Sequence, residues 1–403
     1  MSKIMEWVDA RLPVTALLKS QATEYPTPKN LNYWWNFGSL ALFVLIIMIL
    51  TGLFLAMHYK PDAKQSFDLI EHIMRDVNYG WLLRILHANG ASFFFMIVYV
   101  HILRGMYYGS YRKPREILWW FGIVIYFLMM ATAFMGYVLP WGQLSYWGSA
   151  VITNMMSAIP VVGDDLVIWL WGGFALGDPT LNRFFVLHFL LPLVIFGIVI
   201  VHLWALHAVH SNNPVGIDLH DEKDSIPFHP YYTIKDLYGY GVFLIIFSLF
   251  VFYSPSFFME PDNYIPANPM QTPAHILPEW YFLPFYAILR SIDFLGPLSK
   301  LAGVIAMIGA IAVLFFLPFL DRSPVRSFRY RPISQQLFWI FVIDCLLLGW
   351  VGYNPADATV FDGALPLPVI GHVCTAIYFG YFFMLWVITA FDIEKHTPVP
   401  KSI

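Results

Sequence analysis

Charged residues are scarce in this chain: Asp, Glu, Lys and Arg make up 12% of it, against roughly 25% in soluble domains. So few cannot cover a water-facing surface, and the 59% hydrophobic content calls for lipid. A basic excess is missing as well. With 23 Lys and Arg against 26 Asp and Glu, the chain lacks the electrostatic footprint of a nucleic-acid binder. Cysteine is nearly absent. Cys345 and Cys374 each lie in an apolar run, expected to face lipid or core, which excludes a disulfide framework, a CxxC metal motif and a c-type haem attachment. Internal repeats, low-complexity tracts and an inserted soluble domain are not evident either. Met1 to Lys29 mixes charges with apolar residues and lacks the basic-then-apolar order of a cleaved signal. A surface helix is expected there, with the first apolar span serving as insertion signal.

What the chain does have is long apolar runs. A spanning helix needs about 20 mostly apolar residues, and eight stretches qualify, at about 34–57, 81–107, 117–139, 184–208, 237–254, 301–320, 335–352 and 366–391. The expected fold is an all-α membrane protein of eight transmembrane helices. An even number puts both termini on one side. The termini and the connections sharing their side hold 16 of the 23 basic residues, which assigns that side to the cytoplasm. Two connections are long, 141–183 and 255–300, and both fall on the outer side. They are rich in Trp, Tyr, Pro and Gly, without obvious regular structure, and such loops tend to be functional. Eight prolines between Pro255 and Pro297 make the second one stiff.

Histidines supply the first chemistry. The second span carries His87 and His101, the fourth His188 and His202, each pair 14 residues apart. Fourteen residues are about 21 Å of helix and return within about 40° of the starting face. Both helices run in the same direction, so His87 matches His188 near the outer face and His101 matches His202 near the inner one. Two bis-histidine planes result, suited to two stacked haems ligated by neutral imidazoles. Ionisable groups at membrane depth already point to function, and the repeated spacing on two helices strengthens the reading. Gly38 and Gly52 on the first span and Gly122 and Gly136 on the third repeat the same period, as expected where a porphyrin edge must pass between helices. Arg84 and Arg104, three residues from His87 and His101 on the same face, are expected to meet the haem propionates.

Several phrases together then become familiar: WWNFGS at 34–39, LTGLFLAMHY at 50–59, RILHANGASFFF at 84–95, HILRGMYYGSY at 101–111 and FMGYVLPWGQLSYWG at 134–148, with SNNP at 211–214, FHPYYTIKD at 228–236 and PEWYFLPFYAILRS at 278–291. Over nearly its whole length the chain resembles the cytochrome b family of respiratory cytochrome bc complexes (ubiquinol:cytochrome c oxidoreductase, complex III). The cytochrome bf relatives differ, being split in two chains and having their fourth-span histidines one residue further apart.

The resemblance implies a four-helix bundle around two non-covalent haem b groups, a low-potential one on His87 and His188 and a high-potential one on His101 and His202, with Ser39 among the haem-binding residues. It implies a division into a di-haem part, 1–215, and a quinol-site part, 216–403. It implies an outer quinol-oxidation site in which Glu279 and Tyr281 act catalytically and Phe134, Tyr137, Gly148, Ile152, Pro278, Phe282 and Tyr286 line the pocket. A quinol sheds protons with its electrons, and a carboxyl among aromatic residues and proline would have its pKa raised toward a working value. On the inner side, a quinone-reduction site is expected from His207 and Asp236 as proton donors with Ser211, Asn212 and Lys235; Lys235 and Asp236 would close the loop after the fourth span. His210 is taken as a surface residue. His58, His72, His220, His229, His275, His372 and His396 are not taken as ligands, and Asp344, deep in the seventh span, has no partner in the sequence.

Implied partners are a Rieske iron–sulfur protein, a cytochrome c-type subunit, ubiquinol and ubiquinone, membrane lipid and a second copy of the complex. The membrane is expected to be a bacterial inner membrane in preference to a mitochondrial one. Two rivals stand beside this reading. A dehydrogenase or hydrogenase anchor also uses bis-histidine haems, with fewer spans and no PEWY loop; a transporter would use membrane histidines as proton relays.

Overall fold

A computed structural model describes residues 2–219 and 222–403, the side chain of Glu222 excepted; His220 lies outside the described residues. Among the described residues, eight helices are long and apolar enough to cross a membrane. They are α1 (Asn36–Ala56), α2 (Gly80–Tyr108), α3 (Glu116–Val138), α4 (Asp178–Val209), α5 (Tyr231–Tyr253), α6 (Ser299–Leu320), α7 (Pro332–Tyr353) and α8 (Leu367–Ala390). A helix satisfies its backbone within the segment, as hydrocarbon requires.

The expected spans agree in number and place, and two begin earlier than hydropathy indicates. The one read as 184–208 starts at Asp178, and the one read as 237–254 starts at Tyr231. Apolarity marks only the immersed part of a helix, whereas the helix itself runs to its cap. At α4 the Gly177 N–H donates to Thr180 Oγ1 at 3.3 Å, and that hydroxyl donates to the Trp171 carbonyl at 2.7 Å. As a correction, Lys235 and Asp236 do not close a loop; they stand in the second turn of α5.

The long outer connections also contain regular structure, contrary to expectation. Helices Gln143–Asn154 and Gly163–Trp171 lie in the first, and Leu283–Arg290 in the second. Pro284 sits in the first turn of the last of these, where its missing N–H costs no hydrogen bond. The two connections are tied together. Gln143 N donates to the Ile265 carbonyl at 2.9 Å, Ala267 N to Trp141 at 3.0 Å, and Asn263 Oδ1 accepts from Ser145 N at 2.9 Å. The expected N-terminal surface helix is instead three short helical pieces, Lys3–Asp9, Val14–Leu18 and Lys19–Thr23. Beyond them Tyr25 is buried, and Pro26–Pro28 pairs antiparallel with Ser225–Pro227.

Helix α1 packs along α2, and α3 along α4, with α1 also touching α4. The histidine-bearing helices α2 and α4 stand apart across the middle. A seam joins α3 to α6 by a mechanism visible in the residues. Pro318 has no N–H to offer the Leu314 carbonyl four residues earlier, and the Trp119 indole donates to that carbonyl at 2.7 Å. Where the α6–α7 connection meets the C-terminal segment, a buried ion network closes the fold. Asp321 Oδ2 accepts from Arg331 at 2.8 Å and from Tyr111 at 2.5 Å, while Glu394 meets Arg331 Nε at 3.2 Å and the Ser334 hydroxyl at 2.6 Å.

Candidate functional site

The two histidine pairs face each other across the gap between α2 and α4. His87 and His188 have ring centroids 6.1 Å apart, and His101 and His202 6.5 Å. Two metal–nitrogen bonds of about 2 Å each, with half an imidazole on either side, span such a distance. Among the described residues, no group of three or more His, Cys, Asp or Glu converges as it would on a bare metal ion. Two axial imidazoles, with the remaining ligands from a porphyrin, fit what is there.

The outer pair is held in the ligating tautomer. His188 Nδ1 lies 2.8 Å from the Thr132 carbonyl, which can only accept, so Nδ1 carries the proton. His87 Nδ1 lies 2.9 Å from Thr51 Oγ1, whose own proton goes to the Ile47 carbonyl at 2.7 Å. Both leave Nε2 with a free lone pair, the arrangement a metal-bound histidine needs. At the inner pair, Arg104 Nη2 is 3.0 Å from His101 Nδ1, and a guanidinium only donates, which favours the proton on Nε2. Arg104 also has its Nε buried without a partner, a spare donor suited to a carboxylate. His202 Nδ1 is buried with no well-formed hydrogen bond.

Each of the four glycines faces a histidine ring on a neighbouring helix. A Cβ on Gly38 would lie 3.2 Å from the His101 ring, one on Gly52 3.0 Å from His87, and one on Gly122 3.4 Å from His202, while one on Gly136 would run into His188. Each glycine gives an imidazole its resting place on the neighbouring helix.

On the outer side a cavity of about 700 Å³ joins the His87–His188 pair to the loop residues. It takes in Arg84, Tyr137, Glu279 and Tyr281 from the expected set. Burial pushes the Glu279 carboxyl up to about 8; Glu260 adds to the effect and Arg84 opposes it. The Tyr137 hydroxyl is buried without a partner. Tyr281 is stacked flat on Phe95, centroids 3.8 Å apart, and its carbonyl accepts from Tyr99 at 2.5 Å. Phe134, Gly148, Ile152, Pro278, Phe282 and Tyr286 are not in the cavity wall. Phe134 packs on Phe184 and Tyr286 under Arg290. Glu260 and Tyr264 do line it, and sequence reading missed both, because only the pairing of the two outer connections brings them there.

The inner residues are more dispersed. His207 stacks on Tyr25 at 4.1 Å, and its Nδ1 meets the Gln21 side chain. Asp236 faces Ser39 and Lys235, and Lys235 Nζ donates to the Leu31 carbonyl at 2.6 Å. The Ser39 hydroxyl donates to the Asn36 carbonyl at 2.9 Å. Ser211 donates to the Asn212 carbonyl, while Asn212 is buried and donates to the Tyr108 carbonyl at 2.8 Å. Tyr25 and Gln21 were not anticipated. His210 is exposed, its ring 5.6 Å from Tyr25. Asp344 is buried on α7 with neither oxygen in a well-formed hydrogen bond, its interacting neighbour being Cys374 on α8.

The family pattern described as "Cytochrome b/b6/petB" matches residues 22–210, and "Cytochrome b(C-terminal)/b6/petD" matches 266–379. The chain is 58% identical over 402 residues to a cytochrome b of Rhodospirillum rubrum, covering 100% of this chain and 96% of that one. The chain belongs to the cytochrome b family. A cytochrome b of Rickettsia prowazekii is 57% identical over 400 residues, with 99% and 97% covered. A solved structure titled "Hyperthermophilic respiratory Complex III" superposes with a TM-score of 0.89 at 38% identity, covering 96% of this chain and 99% of the other. Membership carries haem b binding and electron transport in a multi-pass membrane protein with it.

Proposed function

We propose that this cytochrome b, as a subunit of ubiquinol:cytochrome c oxidoreductase, carries electrons between an outer quinol-oxidation site and an inner quinone-reduction site over two haems b. The observation that carries the reading is the shared outer cavity, in which Glu279 and the His87–His188 pair line one space. Two haems, a low-potential one held by His87 and His188 and a high-potential one held by His101 and His202, would supply one-electron transfer along the membrane normal.

The chain's own residues do the proton chemistry. Glu279, its pKa raised to about 8, takes a proton from a bound quinol in its carboxylate form, which grows as the pH rises toward that value. The free Tyr137 hydroxyl is available to the quinol as a hydrogen-bonding partner. Arg84, beside Glu279 and Tyr137, steadies the carboxylate form and also fits a haem propionate. On the inner side, His207 and Asp236 flank the quinone carbonyls as donors, with Ser211, Asn212 and Lys235 around them. Arg104 would turn from His101 to a propionate. Outward release at one site and inward uptake at the other move charge across the membrane.

One of the two quinol electrons needs an acceptor outside this chain, which has no iron–sulfur ligand motif, while the second would pass to the outer haem, the inner haem and the inner quinone. A Rieske protein docked on the two outer connections, and a cytochrome c-type subunit beyond it, complete the path. The division into a di-haem part, 1–215, and a quinol-site part, 216–403, belongs to the same reading, as do lipid contacts along the exposed flank of α4, a dimeric complex, and a bacterial inner membrane with both termini in the cytoplasm.

A redox titration of the visible spectrum tests the core of it. Two b-type transitions are expected, and His202→Leu should remove the high-potential one alone. A single transition, or loss of the other one first, would overturn the pairing.

A further inference from the structure

Away from both quinone sites, the α2–α3 and α6–α7 connections meet around a cavity of about 370 Å³. Four cations line it: Arg112 and Lys113 from one connection, Arg322 and Arg326 from the other. Two of them are already engaged. Arg326 grips Asp218 with both guanidinium arms, at 2.7 and 2.9 Å. Arg112 Nη1 lies 2.9 Å from Asp321 Oδ1 without a well-aligned hydrogen bond. Asp321, which also lines the cavity, is shared with Arg331, Tyr111 and the Ser323 N–H. Lys113 and Arg322 are exposed and, among the described residues, form no side-chain hydrogen bond or ion pair. Lys113 and Arg322 thus add two charges beyond those that Asp218 and Asp321 balance, and a small, highly charged anion relieves the repulsion among them.

We propose that this cavity binds a phosphate group, from an anionic phospholipid headgroup or from free phosphate. Arg112, with its poorly aligned Nη1, provides a fixed donor at the back, and Lys113 and Arg322 close over the oxygens from either side. Guanidinium and ammonium donors on one anion match phosphate geometry. The two connections lie on the side rich in Lys and Arg, where a basic pocket between spanning helices faces anionic headgroups. The site uses no residue of the quinone or haem groups.

The test uses the purified complex in detergent, native and as the double variant Lys113→Gln, Arg322→Gln. After washing, phosphatidylglycerol and phosphatidylcholine retained by the intact complex are counted by mass spectrometry, and inorganic phosphate binding is measured by equilibrium dialysis. Unchanged haem spectra report intact folding. Should the double variant fail to assemble, Arg322→Gln alone gives the same comparison. Phosphatidylglycerol retained by the native complex and lost in the variant supports the site with a lipid as its ligand. Phosphate binding lost in the variant, with equal lipid retention, supports it with free phosphate. Equal retention together with no phosphate binding that depends on these residues overturns it.

Discussion

At Gly136 a methyl group would have to enter the space of the His188 ring, whereas at Gly122 it would rest 3.4 Å from His202. The two positions look alike in the sequence, and their substitutions should part company. Gly136→Ala is expected to lower the haem content of the outer pair, while Gly122→Ala keeps both haems; the haem-to-protein ratio and the visible spectrum decide it. Glu279 makes a second prediction at this scale. Its pKa is raised, so the neutral acid prevails below about 8 and the proton-accepting carboxylate grows as pH rises toward that value. Quinol oxidation limited by this group should therefore accelerate by up to about tenfold per pH unit on the acid side. Glu279→Gln should be slow with a flattened profile and both haems in place, and a variant retaining the native profile would remove Glu279 from the proton path.

Helices were largely legible in the sequence, and their ends and side-chain partners were not. The 14-residue interval identified four histidines and four glycines because a helix converts spacing into direction without reference to anything outside itself. Spacing does not say what lies opposite, and the imidazole that rests on each glycine comes from the packing of neighbouring helices. Arg104 on His101, Asn212 turned inward and Glu260 beside Glu279 each depend on how a connection folds back, which no local pattern records. The junction of α6, α7 and the C-terminal segment is of this kind. Burial pushes the Asp321 carboxyl up, yet Arg331 and Arg112 outweigh it and hold it below its ordinary value of 3.8. The attraction is thus complete above that value and fades as pH falls below it. Asp321→Ala, which leaves buried Arg331 with Glu394 alone and takes the carboxylate from Arg112, should destabilise the protein by about 3–5 kcal/mol. Thermal unfolding above pH 5 is the measurement, and a smaller loss is expected when Arg331→Met is combined with it.

Across the whole molecule, an even number of spans places the two ends together and the long connections opposite them. Cys345 and Cys374 lie within α7 and α8 and should resist a membrane-impermeant maleimide. Against that silent background, Gln271→Cys should be labelled from the outer side and Ser402→Cys only once the inner side is opened. Labelling of both from one side would contradict the assigned sidedness. The ion network has a temporal side as well. Glu394 follows Arg331 by 63 residues, so during synthesis the guanidinium emerges long before one of its two carboxylates. Until that carboxylate arrives, Arg331 at the start of α7 has only one of the two carboxylates that meet it in the finished fold, and a chain truncated before Glu394 would keep that imbalance.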